Sequence, residues 1–145
     1  MLSLWSPVRE FIRRLATPSP DPPTRSDVRS AHVRSLHLLL RNLTPQQRAQ
    51  YERFSHFDVI GSESGRTYRI RYGTQLNIEE LDRTGRRWRL LCFRPKGLLP
   101  VGDIMLAQKL ALELFEMDAM RIAHKTPAPQ ATLIAELRSR RSLRQ

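Results

Sequence analysis

The sequence predicts an α+β fold, in which a small antiparallel β-meander packs against one long helix. The first observation is periodicity: apolar residues recur at helical spacing on both sides of residues 57–93, but alternate with polar residues within that segment. Such alternation is typical of strands with one buried face. The second observation is length, because 145 residues is close to the usual size of a single domain. We therefore expect one core with short appendages.

Two helices are expected before the sheet, within a core domain that spans residues 25–125. In the first helix, Ser26 or Asp27 serves as the N-cap, and the apolar positions continue to about residue 43. The second helix has Thr44 as its N-cap, with a proline next and a glutamine three residues on. A capping-box pattern with proline at the first helical position marks the start of a helix.

Three to four strands are expected in the meander. The candidate segments, separated by turns that contain glycine, are residues 57–60, 66–72, 75–81 and 86–93. The alternation assigns to the buried face Tyr68, Ile70 and Tyr72 of the second segment and Trp88, Leu90 and Cys92 of the fourth. A helix over about residues 104–124, capped by Asp103, carries a wide apolar stripe that should cover this face.

Composition excludes several classes of protein. One cysteine, Cys92, allows no internal disulfide, and four scattered histidines offer no zinc-finger spacing. No apolar run reaches the roughly 18 to 20 residues that a membrane span requires. The absence of a signal sequence and of a span predicts a cytoplasmic protein. We expect no metal site and no cofactor.

The sequence contains no recognisable set of catalytic residues. Cys92 occupies an apolar strand position, which suits a core side chain better than a reactive thiolate. Asp103 is better explained as a helix cap, and Glu113 and Glu116 share a helix face without a histidine beside them. We therefore predict a protein that is not an enzyme.

The strongest functional signal is positive charge. Lysine and arginine number 25 against 14 acidic residues, a formal net charge of +11, and 22 of the 25 are arginine. Residues 66–96 alone hold nine basic and three acidic side chains. Arginine presents a planar set of donors that matches phosphate and carboxylate groups. We therefore predict a small basic module that binds nucleic acid or another polyanion, an acidic protein included.

Strand periodicity places four arginines on one face of the sheet, namely Arg69, Arg71, Arg87 and Arg89. Either Glu79, with Gln75 and Asn77, shares that face and forms cross-strand ion pairs, or the backbone of a polyanion neutralises it. The aromatic residues fall on the opposite face, which favours phosphate contact over base stacking. The predicted nucleic-acid contacts are Arg66, Arg69, Arg71, Arg87, Arg89, Arg138, Arg140 and Arg141, the last three in a basic tail over residues 126–145.

The alternative function is that of a protein-interaction or assembly subunit. Residues 1–24 combine a basic amphipathic helix with a proline-rich linker. Trp5, Phe11 and Ile12 lie on the apolar side of that helix and are the predicted partner-binding residues. They would insert into a partner protein or into a second copy of this chain. A membrane surface is the weaker alternative for the same helix.

A set of glycine, polar and strand residues is spread over about residues 56–124. It comprises Gly61, Ser64, Gly65, Arg66, Tyr68, Arg69, Ile70, Gly73, Asn77, Cys92, Pro95, the run 102–109 (GDIMLAQK), Leu112, Glu113 and Glu116. This set resembles the pattern of a small domain found in uncharacterised bacterial proteins. The resemblance implies one structural unit over that range and carries no activity, ligand or site residue.

Overall fold

The computed structural model describes residues 21–127, which form four helices and one five-stranded antiparallel sheet. The predicted α+β class is therefore confirmed. The helices are α1 (Arg25–Arg41), α2 (Pro45–Phe54), α3 (Val101–Leu114) and α4 (Glu116–Ile122). The strands are β1 (His56–Ile60), β2 (Thr67–Arg71), β3 (Ile78–Leu81), β4 (Arg87–Cys92) and β5 (His124–Pro127), and they lie side by side in that order.

Local side-chain signals start the first two helices. The N-cap of α1 is Thr24, and not Ser26 or Asp27 as predicted, because the hydroxyl of Thr24 accepts from the Asp27 N–H at 3.2 Å. The Asp27 carboxylate in turn accepts from the Thr24 N–H at 3.0 Å, which completes a capping box from the third helical position. The capping box predicted for Thr44 and Gln47 at α2 is confirmed.

The long helix predicted over residues 104–124 is two helices. The chain leaves helical geometry at Phe115, where φ is −143° and ψ is 45°. The first of the two helices has Pro100 as its N-cap, so Asp103 lies inside the helix and does not cap it. The break positions Glu116, the first residue of α4, so that its side chain reaches the loop between β1 and β2.

The fifth strand is absent from the sequence prediction. β5 pairs antiparallel with β4, from Arg89 opposite Pro127 to Cys92 opposite His124. Its four residues, HKTP, show no apolar alternation, so periodicity could not reveal it. The edge of β4 supplies the hydrogen-bonding partners that make this segment a strand.

The core lies between one face of the sheet and α3. Its fully buried side chains include Phe57, Val59, Tyr68, Ile70, Ile78 and Leu91 from the sheet and Met105 and Leu112 from α3. Helix α3 contacts β1 and β2, while α1 packs against α3 and α2 packs against β1. The predicted burial of Tyr68 and Ile70 is confirmed, whereas Tyr72 follows the end of β2 and is 49% exposed.

A bulge in β4 changes which residues face the core. Glu80 pairs with Arg89 and Leu81 pairs with Arg87, which leaves Trp88 as an extra residue opposite β3. Trp88 is 49% exposed, whereas Leu91 is fully buried. The predicted buried face of Trp88, Leu90 and Cys92 is therefore wrong, since residues 90–93 are apolar at both alternating positions.

Side chains of α2 close the sheet edge at β1. Gln47 Nε2 donates to the carbonyl oxygen of Asp58 at 3.0 Å, and the Asp58 N–H donates to Gln50 Oε1 at 3.0 Å. Since β1 is the first strand of the sheet, these backbone groups have no neighbouring strand on that side. At the middle of β1, the two glutamine side chains therefore supply the hydrogen bonds that a neighbouring strand would otherwise form.

Candidate functional site

Two adjacent glutamates of β3, Glu79 and Glu80, organise the arginine-rich part of the sheet. Consecutive residues of a strand project to opposite faces, so one carboxylate lies on each side. Both residues are almost fully buried, and each forms ion pairs with two arginines. A buried carboxylate requires such partners, because an unpaired charge removed from water is strongly destabilising.

Glu79 lies on the side of the sheet away from α3. Arg71 donates to its two oxygens from Nε at 2.7 Å and Nη2 at 3.2 Å, and Arg87 donates from Nη1 at 2.9 Å. In the same row, Arg69 binds both oxygens of Asp58, at 2.8 and 3.0 Å, and this hydrogen bonding raises the pKa of Arg69. We call these five residues the outer face.

Glu80 lies on the core side, opposite Tyr68 in the register. It accepts a hydrogen bond from Arg66 Nη1 at 2.5 Å and another from Arg89 Nε. The hydrogen bond and the charge of Glu80 raise the pKa of Arg66. Glu79 therefore binds Arg71 and Arg87, whereas Glu80 binds Arg66 and Arg89.

This division corrects the predicted arginine face. Arg87 and Arg89 do not share a face, because the bulge at Trp88 turns Arg87 toward Glu79 and leaves Arg89 with Glu80. Of the predicted set of four, the outer face therefore holds Arg69, Arg71 and Arg87 but not Arg89.

The predicted cross-strand pairing by Glu79 is observed, but its predicted companions lie elsewhere. Asn77 is buried toward α3, where its Nδ2 donates to Gln108 Oε1 at 2.8 Å. Gln75 is exposed in the loop that precedes β3. The acidic groups on the outer face are therefore Glu79 and Asp58.

The two arginines on each glutamate differ in exposure. On Glu79, the side chain of Arg71 is 47% exposed and that of Arg87 is 22% exposed. On Glu80, the side chain of Arg66 is 53% exposed and that of Arg89 is 20% exposed. Each buried carboxylate thus has one shielded partner and one partner that meets solvent.

The described residues also include cations outside this cluster. Ten basic residues form no ion pair with another residue of the range 21–127: Arg25, Arg29, Arg34, Arg41, Arg53, Arg83, Arg86, Arg94, Lys96 and Lys125. The first four lie on α1, and Arg83 and Arg86 lie in the β3–β4 turn. The predicted contacts Arg138, Arg140 and Arg141, and the predicted partner-binding residues Trp5, Phe11 and Ile12, lie outside the described residues.

Trp88 is the functional candidate that the sequence reasoning missed. The residue is about half exposed, and the guanidinium carbon of Arg89 lies 4.6 Å from the ring centroid. A large apolar ring between arginines, in the run RRWR, is the signal that points to it. Strand alternation alone predicts that this ring lies in the core.

The loop between β1 and β2 encloses the carboxylate of Glu116. The backbone N–H groups of Glu63 and Ser64 donate to it at 2.8 and 2.7 Å, the Tyr68 hydroxyl donates at 2.6 Å, and the Ser64 hydroxyl also donates. Burial favours the neutral acid, but these hydrogen bonds outweigh it and lower the pKa of Glu116. A β-carbon at Gly61 would overlap this carboxyl group. The donors are thus engaged within the chain, which makes this a structural site.

A polar groove of about 510 Å³ lies between α2 and β1. Its lining residues are Thr44, Gln46, Gln47, Gln50, Asp58, Ile60, Thr67 and Glu113. The two carboxylates are already bound, since Asp58 pairs with Arg69 and Glu113 accepts from Lys109 and from Gln47. Within residues 21–127, no group of three His, Cys, Asp or Glu side chains is placed to hold a metal ion.

Three comparisons, with protein-family profiles, with curated proteins and with solved structures, return no match to this chain. No helix within the described range is both long and apolar enough to cross a membrane.

Proposed function

We propose that this chain is a small, non-enzymatic binding module that contacts nucleic acid or another polyanion through its arginine-rich sheet. The observation that carries the proposal is the pairing of each buried glutamate with one shielded and one exposed arginine. The shielded arginine neutralises the carboxylate. The exposed arginine, Arg71 or Arg66, then contributes positive charge that is in excess at a defined position.

The glutamates also orient these exposed arginines. A guanidinium carries five N–H donors, and Arg66 uses only Nη1 on Glu80. Arg71 uses Nε and Nη2 on Glu79. Its Nη1 donors are not used on that carboxylate. Because part of the side-chain entropy is already lost in the free protein, a phosphate that binds the remaining donors pays a smaller ordering penalty.

The charge of the whole chain supports the same function. A formal net charge of +11 attracts polyanions over long distances and accelerates their association. Binding of this kind depends steeply on salt, because each arginine that contacts a phosphate releases condensed counterions. The arginines of the C-terminal tail, Arg138, Arg140 and Arg141, would add to the same attraction.

The test compares two variants that lose the same charge at different places. In the sheet variant, Arg66→Gln with Arg71→Gln, Glu80 keeps Arg89 and Glu79 keeps Arg87. In the control, Arg25→Gln with Arg29→Gln, the substituted arginines are exposed on α1 and have no described ion pair. Circular dichroism and urea unfolding should show that both variants retain the fold.

Fluorescence anisotropy of labelled oligonucleotides and of labelled heparin, over a series of salt concentrations, measures binding. We expect the sheet variant to bind about tenfold more weakly, or about 0.7 kcal/mol per lost contact. The plot of log affinity against log salt should become shallower by about 1.4 to 1.8, the value for two phosphate contacts. Equal losses in the two variants would place the contact outside the sheet. Absence of wild-type binding at low salt, with a dimeric mass by light scattering, would instead favour the assembly role of the N-terminal helix.

A further inference from the structure

We propose that the ligand of this sheet is a single-stranded nucleic acid and that Trp88 is the side chain on which one of its bases stacks. This inference rests on the proposed function and names the class of ligand. It comes from the position and the exposure of one aromatic ring in the arginine cluster, and from the cation that covers one of its faces.

The position of Trp88 follows from the β4 bulge. Its neighbours Arg87 and Arg89 pair with Leu81 and Glu80, so Trp88 has no partner residue on β3. An extra residue of this kind is released from the regular alternation and its side chain is redirected. Trp88 is 49% exposed as a result, although an aromatic of this size could bury a large apolar area in a core.

An anchored cation covers one face of the ring. The guanidinium of Arg89 lies over the indole, with 4.6 Å between its central carbon and the ring centroid. Arg89 also donates from Nε to Glu80, which is fully buried. One ring face is therefore covered by a group that is itself held in place, and we assign the exposed surface to the opposite face and the ring edges. A held ring loses little freedom when a flat ligand stacks on it.

Cations next to the ring can bind the phosphate backbone to which a stacked base is attached. Arg86 precedes Trp88 by two residues, is exposed and forms no ion pair within the described chain. Arg87 uses only Nη1 on Glu79. Stacking on an aromatic ring combined with cations along a backbone is the usual way in which proteins bind single strands.

The phosphates of a duplex can bind the same arginines, but its bases are not free to stack on Trp88. Its bases are stacked on one another inside the helix, so a base reaches an aromatic side chain only after the duplex is distorted or opened. A single strand presents unstacked bases at no such cost. The exposed indole therefore favours single strands over duplexes of equal charge.

The experiment uses the full chain with Trp5→Phe, because the sequence has two tryptophans and this substitution leaves Trp88 as the only one. Three ligands are compared by indole fluorescence and by competition in anisotropy: an oligothymidylate, a DNA duplex of equal charge, and inorganic polyphosphate, which has the charge but no bases. We expect saturable quenching with the oligothymidylate, at the concentrations at which anisotropy reports binding. Polyphosphate should bind with no quenching.

Substitutions then test the contribution of the ring to affinity. We expect Trp88→Ala to weaken binding of the oligothymidylate by roughly 5- to 150-fold, the range for one stacked base, without changing the salt slope or polyphosphate binding. Trp88→Phe should restore most of the affinity. The matched control is Tyr72→Ala, which removes an aromatic with the same 49% exposure from the end of β2 and should leave affinity unchanged.

Each other outcome overturns the inference. Oligothymidylate binding without quenching, or with unchanged affinity in Trp88→Ala, would exclude Trp88 as the stacking residue while the proposed polyanion function stands. Duplex binding as tight as that of the oligothymidylate would exclude the single-strand class. Failure of all three ligands to bind at low salt would overturn the proposed function itself, and this inference with it.

Discussion

Gly102 and the backbone carbonyl of Ser35 lie so close together that no side chain fits between them. A β-carbon at Gly102 would overlap that carbonyl group and would lie 2.7 Å from the backbone nitrogen of Leu36. The Gly102 N–H donates to Ser35 Oγ at 3.3 Å, and this hydroxyl donates to the His32 carbonyl at 2.8 Å. Helices α1 and α3 thus meet at two small residues, through backbone and hydroxyl contacts.

Gly102→Ala should therefore destabilise the protein. Alanine favours helix over glycine, but the overlap forces α1 and α3 apart, and we expect a net loss of about 1–3 kcal/mol in urea unfolding. Ser35→Gly should not rescue this variant, because the clashing atoms of Ser35 belong to its backbone. An unchanged or increased free energy of unfolding for Gly102→Ala would contradict this account of the helix contact.

Asn77 and Gln108 form a buried amide pair that should behave as one unit. Gln108 Nε2 donates to Asn77 Oδ1 at 2.9 Å and to the Phe93 carbonyl at 3.0 Å, while Asn77 Nδ2 also donates to the carbonyls of Arg71 and Gly73, each at 3.1 Å. Asn77→Ala and Gln108→Leu should each cost about 1–3 kcal/mol, because buried partners lose hydrogen bonds.

A double-mutant cycle measures the link between the two amides. We expect the double variant to lose less stability than the sum of the single losses, by about 0.5–3 kcal/mol. Additive losses would show that Asn77 and Gln108 act independently, with the loop after β2 and the end of β4 stabilised separately from α3.

Glu116 should make stability depend on acid pH. The hydrogen bonds from the β1–β2 loop hold its pKa below the ordinary value of 4.5. A carboxyl group whose pKa is lower in the folded state stabilises that state above the unfolded pKa. This stabilisation is lost as the pH falls through the folded pKa. The urea midpoint should therefore decline below about pH 4.5.

Glu116→Gln tests the same site at neutral pH. The amide cannot accept from all the donors of Ser64, Glu63 and Tyr68, and we expect a loss of at least about 2 kcal/mol at pH 7 that shrinks at pH 3. The control Glu63→Gln lies in the same loop and contributes its backbone N–H to the site. Its side chain accepts from the Ser62 hydroxyl, which a glutamine oxygen can also do, so the effect should stay within about 0.5 kcal/mol. Similar effects of the two substitutions would contradict the role of the Glu116 carboxylate.

Protonation of His56 should cause a second loss of stability as the pH falls, and this loss should begin at a higher pH than the loss caused by Glu116. Its Nδ1 is buried and has no hydrogen-bond partner among the described residues. Burial, followed by the charges of Arg69 and Arg71, lowers the pKa of His56 below the ordinary 6.5 and outweighs the opposing effect of nearby acids. Since the lowered pKa favours the neutral form in the fold, stability is fully present above pH 6.5 and falls as the pH drops through the folded pKa.

His56→Phe should remove this step. The ring of His56 stacks on Phe54 with 5.5 Å between centroids, and phenylalanine keeps the stacking without a titratable group. Urea midpoints at pH 7 and pH 5 should differ less for this variant than for the wild type. An equal difference in both proteins would assign the step to another group.

Local signals explain the parts of the fold that the sequence predicts correctly. The alternation around Tyr68 and Ile70 identifies β2 and its buried face, because every second residue of a strand projects to the same face of the sheet. Thr44 and Gln47 identify the start of α2, because a capping box involves only residues three apart. Both features depend on neighbours along the chain.

Distant partners explain the rest. The break after α3 is accompanied by the capture of Glu116 in the loop of Ser64, 52 residues away. The separation of Arg87 from Arg89 depends on the bulge at Trp88 and on carboxylates of another strand. The sequence does place two consecutive acidic residues in a strand between arginine-rich neighbours, and that pattern indicates ion pairing on both faces.

The glutamines that bind the backbone of Asp58 also affect how this sheet could be extended. Gln47 and Gln50 occupy the N–H and C=O groups through which another strand would join beside β1, so that margin is closed to recruitment. A strand from a ligand or from a second copy of the chain could not pair with Asp58 without displacing Gln47 and Gln50. Helix α2 therefore protects the middle of this sheet edge against strand addition.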